Sequence, residues 1–467
     1  MGLTVSTASA APGAASDGSD RGEPYVPNAA ERLSSPGKAS SARTYSLARC
    51  LELADRNYPK VASATAKLKK YEAQLAEART APFSQWSARG GFALAPTVRG
   101  SSIYSPNTDV SLSDDMGLAW QIGIEGVIPL WTFGKITSLW DAAEAQVDVG
   151  RHEVQKQRGE VRRLVYEAYY GVKLARDSLA LVKDAGARID KYLGQLEKKV
   201  ARGDGDTIEL LKLKMNRAEL TARESEAREK SAQALAALRF LTGVSRLDVA
   251  DTPLEPVGHR LAPLSRYLSA ARLFRPEVNM ARAGMRARQA QVRLQRAKYF
   301  PDVGLGLTAR YARAPEVTDQ QNPFVSDSAN ITSYGAALVL RWNLDFLPNL
   351  ARVAQVEADL EEMRATEQFA LGGVALEVEN AFTTAREAQR RLEAYSQAAQ
   401  YAKRWLIEVQ QGIDLGTMEE EDIVDPAKEY ALKRFSKMSA TYAYNMAVVA
   451  LAVVTGWEAA LPTEPEP

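Results

Sequence analysis

Acidic side chains near the end of the chain are the residues best placed to do chemistry. Five of the seven residues from position 419 to 425 are carboxylates, and they begin three residues after Gly416. They are Glu419, Glu420, Glu421, Asp422 and Asp425. Glu209 lies six residues after Gly203, the distance that separates Asp422 from Gly416. The simplest interpretation of the run is a solvated helix start, because the helix dipole stabilises carboxylates in a first turn.

The rest of the composition argues against other chemistry. Lys and Arg total 59 and Asp and Glu total 58, so no global charge attracts nucleic acid or anionic lipid. With Cys50, His152 and His259 as the complete set of those two residue types, neither a disulfide framework nor a thiolate or imidazole metal site is expected. The glycine-rich segment 203–206 lacks the preceding strand and the lysine of a phosphate loop. We therefore expect no catalytic residues, no metal and no cofactor.

Two very long amphipathic helices must position the acids. Residues 135–202 and 349–415 contain no proline, and their apolar residues recur at a spacing of three and four. Each would extend about 100 Å if unbroken, which exceeds a single globular core. Each ends near a glycine, Gly203 or Gly416, and is followed by a predicted return helix, 206–242 or 420–455 in the two cases. The alanine-rich faces favour side-by-side packing as coiled coils.

Segments of alternating polarity precede the long helices. Residues 83–95, 117–131, 301–312 and 334–345 alternate with a period of two, which predicts four strands of about ten residues. The face opposite the large apolar residues carries Gln121, Glu125, Arg341 and Asn343. Strands of this length can cross an outer membrane when tilted. They can equally form a soluble antiparallel sheet packed on helices, and the alternation does not separate the two.

The chain contains the same unit twice. A shift of 217 residues gives twelve identities in 37 positions between segments 47–83 and 264–300, and a shift of 213 continues the match from Phe133/Phe346 to Gly243/Gly456. We predict a disordered segment 1–43, a first repeat 44–243, a linker 244–263, a second repeat 264–456 and a tail 457–467. Each repeat has the order helix-strand-strand-helix.

A membrane location would require several chains. No uninterrupted apolar run reaches the ~18 residues of a spanning helix, so we expect no helical membrane protein. An open sheet edge cannot face lipid, because its N–H and C=O groups have no partner there. Four strands would therefore close a barrel only in an oligomer. A secretory signal, basic residues followed by an apolar core, is not visible before Ala10.

In this order and spacing, residues 44–456 resemble the TolC-like outer-membrane efflux protein family. The motifs are Asn57-Tyr58-Pro59 and Pro129-Leu130 leading through Phe133-Gly134 into the long helix. The resemblance implies an α+β membrane protein: a homotrimeric twelve-stranded β-barrel, four strands per chain, continued by a long periplasmic α-helical barrel. It implies the bacterial outer membrane, contact with its lipid, and a passive exit duct for tripartite efflux or type I secretion. The expected partners are a periplasmic adaptor protein and an inner-membrane pump.

The resemblance also implies a gate and docking turns. Asp422 and Asp425 match the two aspartates of the family's inner gate, where a trimer would form rings of three carboxylates that favour cations. Glu419, Glu420 and Glu421 add to these rings, and Glu209 matches the acid of the first turn. Its basic partner in the family corresponds to Met418 and the tyrosine of the lock to Ile413, so the family's closing contacts are not reproduced. Gly203 and Gly416 mark the turns where the adaptor would dock, and Gln121, Glu125, Arg341 and Asn343 would line the barrel.

One other function class competes with the duct. A periplasmic coiled-coil scaffold, structural or adhesive and without a pore, would use the same long helices. Pore formation distinguishes the two, and an enzyme is not expected.

Overall fold

The structure, a computed structural model, describes residues 43–99, 111–203, 205–317, 327 and 329–457. The predicted disordered segment up to residue 42 and the tail after residue 457 lie outside these residues, as do the central parts of the loops after the first and third predicted strands. The helices and strands follow one order twice: two short helices, two strands, a long helix and a return helix.

The elements of the first half are β1 (Arg43–Tyr45), α1 (Leu47–Asn57), α2 (Pro59–Thr80), β2 (Trp86–Arg99), β3 (Ser111–Trp131), α3 (Lys135–Ala201) and α4 (Thr207–Thr242). Those of the second half are β4 (Leu247–Val249), α5 (Leu264–Phe274), α6 (Pro276–Ala297), β5 (Asp302–Arg313), β6 (Thr332–Arg341), α7 (Phe346–Asp414) and α8 (Val424–Thr455). Short 3₁₀ turns, Ala81–Phe83 and Glu420–Ile423, lie before β2 and α8.

Several bounds differ from the sequence prediction for local physical reasons. β3 begins at Ser111 rather than 117, because its polar first residues pair through their backbone with the end of β2. β6 ends at Arg341, where Trp342 leaves the strand to donate to the Tyr299 carbonyl at 3.1 Å. Asn343 therefore follows the sheet instead of lying in it. Residues 420–423 form a 3₁₀ turn, so the return helix starts at Val424.

The short helices break at matching prolines. Pro59 begins α2 and Pro276 begins α6, each preceded by a residue in extended conformation, as the steric effect of proline requires. The return helices end beside these breaks: Asn57 Nδ2 donates to the Thr242 carbonyl at 2.7 Å, and Gly456 lies against the backbone of Phe274. The short and return helices thus meet end to end beside the long ones.

A small parallel sheet of β1 and β4 is the one pairing of described strands that the sequence did not predict. It lies at the end of the segment predicted as disordered and within the predicted linker 244–263, which is therefore structured in part. Arg176 of α3 holds it, donating to the Val249 carbonyl at 2.6 Å and pairing with Asp248. Three-residue strands show no alternation, so sequence periodicity could not reveal them.

The rest of the linker is fixed by buried side chains. Asn445, fully buried in α8, accepts from the Val257 N–H and donates to the Glu255 carbonyl, both at 2.8 Å. Asp177 of α3 accepts from the Leu254 N–H at 2.8 Å. Burial raises the pKa of the Asp177 carboxyl, and the Leu254 hydrogen bond opposes that shift.

Two apolar cores hold the helices, one in each half. The first joins α1, α3 and α4 and includes the buried Tyr169 and Leu238, with Val449 of α8 completing it. The second joins α5, α7 and α8 around Val378 and Leu451. Because α8 contributes to both cores, the halves form one packed unit over residues 43–457.

The return helix α8 corrects one expectation. Within the described residues it alone is long and apolar enough, by length and composition, to cross a membrane. The window contains a few polar residues, so a search for uninterrupted apolar runs does not find it. Half of the window is buried against neighbouring helices, as in the core helix of a folded domain.

Candidate functional site

The four-stranded sheet has one strongly apolar exposed face. Its strands lie in the order β2-β3-β5-β6, all antiparallel, and the register brings the large apolar residues of each strand to the same side. Phe92 is 81% exposed, Tyr334 87% and Leu338 72%. The exposed apolar residues of this face also include Trp86, Leu94, Leu118, Ile122, Ile124 and Leu340. A surface patch of this kind marks contact with lipid or with another protein.

The opposite face is polar and internally paired. Glu125 accepts from Ser87 at 3.0 Å and forms an ion pair with Arg89 at 2.9 Å. Gln121 accepts from Arg310 at 2.8 Å. The register places Gln121, Glu125 and Arg341 on this one face, with Arg341 opposite Asp302. Asn343, expected with them, lies beyond the end of β6.

Aromatic side chains collect where strands become helices. Phe133, the single non-glycine residue with positive φ in the described backbone, stacks on Phe300 at 5.1 Å and meets Trp131 edge-on. In the second half Phe346 packs against Tyr299 and Trp342. Aromatic residues at this level of a sheet are typical of a membrane–water interface.

One lysine side chain connects the sheet to a long helix at the level of these aromatic residues. Lys135 at the start of α3 donates to the Phe300 carbonyl at 2.9 Å and to Asp302 Oδ1 at 2.8 Å. Lys135 follows β3, whereas Asp302 begins β5, so this contact joins the two halves. The start of α3 is thereby tied to the start of β5.

At the second helix turn the predicted gate acids lie at the surface. Asp422 and Asp425 are both exposed. Asp422 Oδ2 accepts from the backbone N–H of Glu419 at 2.9 Å, and Asp425 lies in the first turn of α8. Glu420 and Glu421 belong to the 3₁₀ turn, and their side chains lie outside the described part. The contact of Asp422 with Glu419 orders the turn, and Asp425 is where the helix dipole favours an anion.

At the first helix turn the structure gives Glu209 a partner that the sequence did not indicate. Tyr192 of α3 donates its hydroxyl to Glu209 Oε1 at 2.8 Å. Two ion pairs join the same helices nearby, Lys214 with Glu197 at 2.9 Å and Arg217 with Asp190 at 2.6 Å. The acid is therefore held within its own helical hairpin. Tyr192 and Glu209 are 17 positions apart, a separation for which helical spacing gives no signal.

Met418, one of the two residues that depart from the family pattern, folds back on the end of α7. Met418 packs on Gly412, where an added Cβ would approach the Met418 sulfur to 2.8 Å. Thr417 caps the end of α7 by donating from its backbone N–H and its hydroxyl to the Gly412 carbonyl. Ile413 is partly buried. Gly203 and Gly416 have φ of +86° and +73°, left-handed values that glycine adopts without strain.

Cys50 lies in α1, outside the sheet and the helix turns. Burial raises the pKa of the Cys50 thiol to about 12, which leaves it protonated and unreactive. Within the described ranges, no group of three or more His, Cys, Asp or Glu side chains is placed to hold a metal ion. What the geometry offers is a two-faced sheet at one end of the helices and acidic turns at the other.

Comparison with known proteins gives one family. The family model described as outer membrane efflux protein matches residues 50–244 and 267–457. The cobalt-zinc-cadmium resistance protein CzcC of Cupriavidus metallidurans is 25% identical over 187 residues. That alignment covers 39% of this chain and 44% of CzcC, so the chain matches less than half of this relative's length.

Solved structures share the fold over most of the chain. A membrane protein from Pseudomonas aeruginosa superposes with a TM-score of 0.71 at 18% identity, covering 88% of this chain and 90% of that one. The open state of the Neisseria gonorrhoeae MtrE outer membrane channel gives 0.70 at 15% identity, covering 90% and 93%. The sequence prediction of a TolC-like fold is confirmed by these likenesses.

Proposed function

Because this chain belongs to the outer membrane efflux protein family, we propose that it forms the exit duct of an efflux or secretion assembly in the bacterial outer membrane. The observation that carries the proposal is the two-faced sheet. Its apolar residues are exposed to an extent that is unfavourable in water, whereas its polar face carries an ion pair and hydrogen bonds between side chains. Lipid outside and water inside satisfy both faces.

The open edges of the sheet support closure between chains. Among the described strands, β2 and β6 each pair on one side only. Since four successive strands alternate in direction, β6 of one chain runs antiparallel to β2 of another and can extend the same ladder. Three copies give twelve strands, the number that the family resemblance implies. The matching halves, which we attribute to a duplicated helix-strand-strand-helix unit, would then continue as a helical tunnel in the periplasm.

The acidic turns at the far end of the helices are proposed as the gate. In a trimer Asp422 and Asp425 would each form a ring of three carboxylates around the axis, with Glu419 to Glu421 beside them. Such rings favour cations and raise the cost of full ionisation. Glu209, held by Tyr192 within its hairpin, would steady the alternating turns of the ring.

The proposed partners follow from this end of the molecule. The turns at Gly203 and Gly416 would dock on a periplasmic adaptor, which connects the duct to an inner-membrane pump. Substrate choice is assigned to the pump, because the proposed duct is passive. The name of the relative CzcC refers to resistance to cobalt, zinc and cadmium; the proposal includes no metal selectivity for this chain.

Neighbouring residues of β6 test the proposal directly. In a Cys50→Ala background, Leu338→Cys and Val339→Cys place a thiol on the apolar and the polar face respectively. After labelling with a bimane fluorophore and reconstitution into vesicles, brominated acyl chains should quench position 338 strongly and position 339 weakly. Equal, weak quenching at both positions, with a protein that stays soluble without detergent, would contradict the duct and favour the periplasmic scaffold.

A further inference from the structure

The two long helices have different surroundings within the chain. Helix α3 packs against α2 and α4 of its own half and against α6 and α8 of the second half. Helix α7 packs against α5, α6 and α8, all of its own half, and has no comparable contact with α2 or α4 in the part of the chain that the structure describes. Its uncovered side carries Phe369, which is 84% exposed.

The repeat indicates which helices are missing from α7. Since α7 corresponds to α3, and α2 and α4 correspond to α6 and α8, the absent neighbours of α7 are an α2 and an α4 from another copy. A contact between unlike surfaces of identical chains is head-to-tail and generates a ring when it closes. The contacts between α3 and α6 inside the chain are then a template for contacts between α7 and α2 of two chains.

One α3–α6 ion pair of the template corresponds to two oppositely charged residues on α2 and α7. Arg286 of α6 pairs with Asp148 of α3 at 2.8 Å. The shifts of 217 and 213 residues carry Arg286 to Lys69 and Asp148 to Glu361. Both counterparts are exposed, and each keeps the sign of the residue it replaces. Glu361 pairs in the single chain with Arg364 of its own helix.

In a second α3–α6 ion pair, both charged residues have uncharged counterparts. Arg293 of α6 pairs with Asp141 of α3 at 2.8 Å. The same shifts lead to Ala76 and Ala354, so both charges are lost and neither is left without a partner. One template pair is thus kept as a pair of opposite charges, and a second is replaced as a unit. A third α3–α6 ion pair, Lys156 with Glu277 at 3.9 Å, maps to Phe369 and Lys60 and is not kept.

The geometry points to a specific contact between copies of this chain: Lys69 on α2 of one copy faces Glu361 on α7 of the next. The inference rests on the proposed oligomeric duct and goes beyond it by fixing which helix flanks meet and in what register. Because an exposed ion pair contributes little affinity, we assign the pair a role in alignment and base the test on proximity.

Paired cysteines test the register in the full-length protein. In the Cys50→Ala background, Lys69→Cys and Glu361→Cys together should give a ladder of covalent multimers on a denaturing gel after treatment with a short bismaleimide. Each single variant should stay monomeric, and the two singles expressed together should give a dimer and nothing larger. The matched control is Lys67→Cys with Glu361→Cys. Lys67 is exposed two residues earlier, but its counterpart Gly284 faces Met363 of its own half, so the control should not cross-link.

The possible outcomes separate this inference from the proposed function. A double variant that keeps its native oligomer mass and its channel conductance but gives no ladder would overturn the register alone. Cross-linking of the Lys67 control as efficient as that of Lys69 would do the same. A protein that is monomeric in detergent and does not conduct would overturn the proposed duct and this interface with it.

Discussion

Tyr192 and Glu209 tie the two helices of the first hairpin together close to its turn. The resemblance places Met418 and Ile413 at the positions of the family's lock, and we propose that the Tyr192–Glu209 contact contributes to closure in this chain. It differs from that lock because both partners belong to one hairpin. Closure at the first turn should therefore depend on the rigidity of that hairpin.

Removing the tyrosine hydroxyl should loosen the proposed gate. Tyr192→Phe keeps the ring and deletes the donor, at a cost of about 1 kcal/mol. We expect a roughly fivefold higher open probability of single channels in planar bilayers. Glu209→Gln is the control, because its amide oxygen still accepts from Tyr192 and the open probability should change little. An unchanged open probability in Tyr192→Phe would remove this contact from the gate.

Cys50 should be inert in the native protein. Its side chain is fully buried in the first core, and burial raises the pKa of its thiol to about 12. At pH 8 the thiolate, which is the reactive form, is then almost absent. A colorimetric thiol assay should find no reactive cysteine in the folded protein and one after denaturation. Rapid native labelling at pH 8 would show that the α1–α3 contact opens readily.

At the scale of the elements, glycine has opposite effects at a helix turn and inside a helix. Gly416 has a φ of +73° with no atom within 4 Å of an added Cβ, so its requirement is conformational and not steric. Gly194 lies inside α3, also with open space around it. An alanine at each position meets the same free volume but a different backbone.

The two alanine variants should therefore shift stability in opposite directions. Gly416→Ala forces a side chain into the left-handed region and should destabilise the turn by about 1–2 kcal/mol. Gly194→Ala should stabilise α3 by about 0.5–1 kcal/mol. Amide hydrogen exchange at residues 410–418 and 190–198 measures each change locally. Equal protection at the second turn in Gly416→Ala would mean that another residue can adopt this conformation at no cost.

Which elements could be predicted follows from the range of the interactions that form them. The periodicity of the strands and long helices is visible in their own residues. The alternation alone therefore predicts that Leu338 and Val339 lie on opposite faces of the sheet. The sheet of β1 and β4 and the bond from Tyr192 to Glu209 depend on residues brought together by packing. The end of β6 also depends on a distant residue, Tyr299, so the alternation alone wrongly extends the strand to Asn343.

At the scale of the whole molecule, a single chain leaves several surfaces unsatisfied. Among the described residues, the apolar sheet face is exposed, two sheet edges are unpaired, and α7 has no contact with α2 or α4 comparable to those of α3 with α6 and α8. Each of these can be completed by another copy of the chain and by lipid. Their coincidence supports the proposal that the functional unit is an oligomer.

Single-channel recording tests the central claim most directly. Purified protein reconstituted in planar bilayers should give discrete conductance steps with a preference for cations, and Asp422→Asn with Asp425→Asn should weaken that preference because it neutralises the proposed carboxylate rings. Protein that inserts into the bilayer without discrete steps, or that remains a water-soluble monomer, would contradict the proposal that this chain is an outer-membrane exit duct.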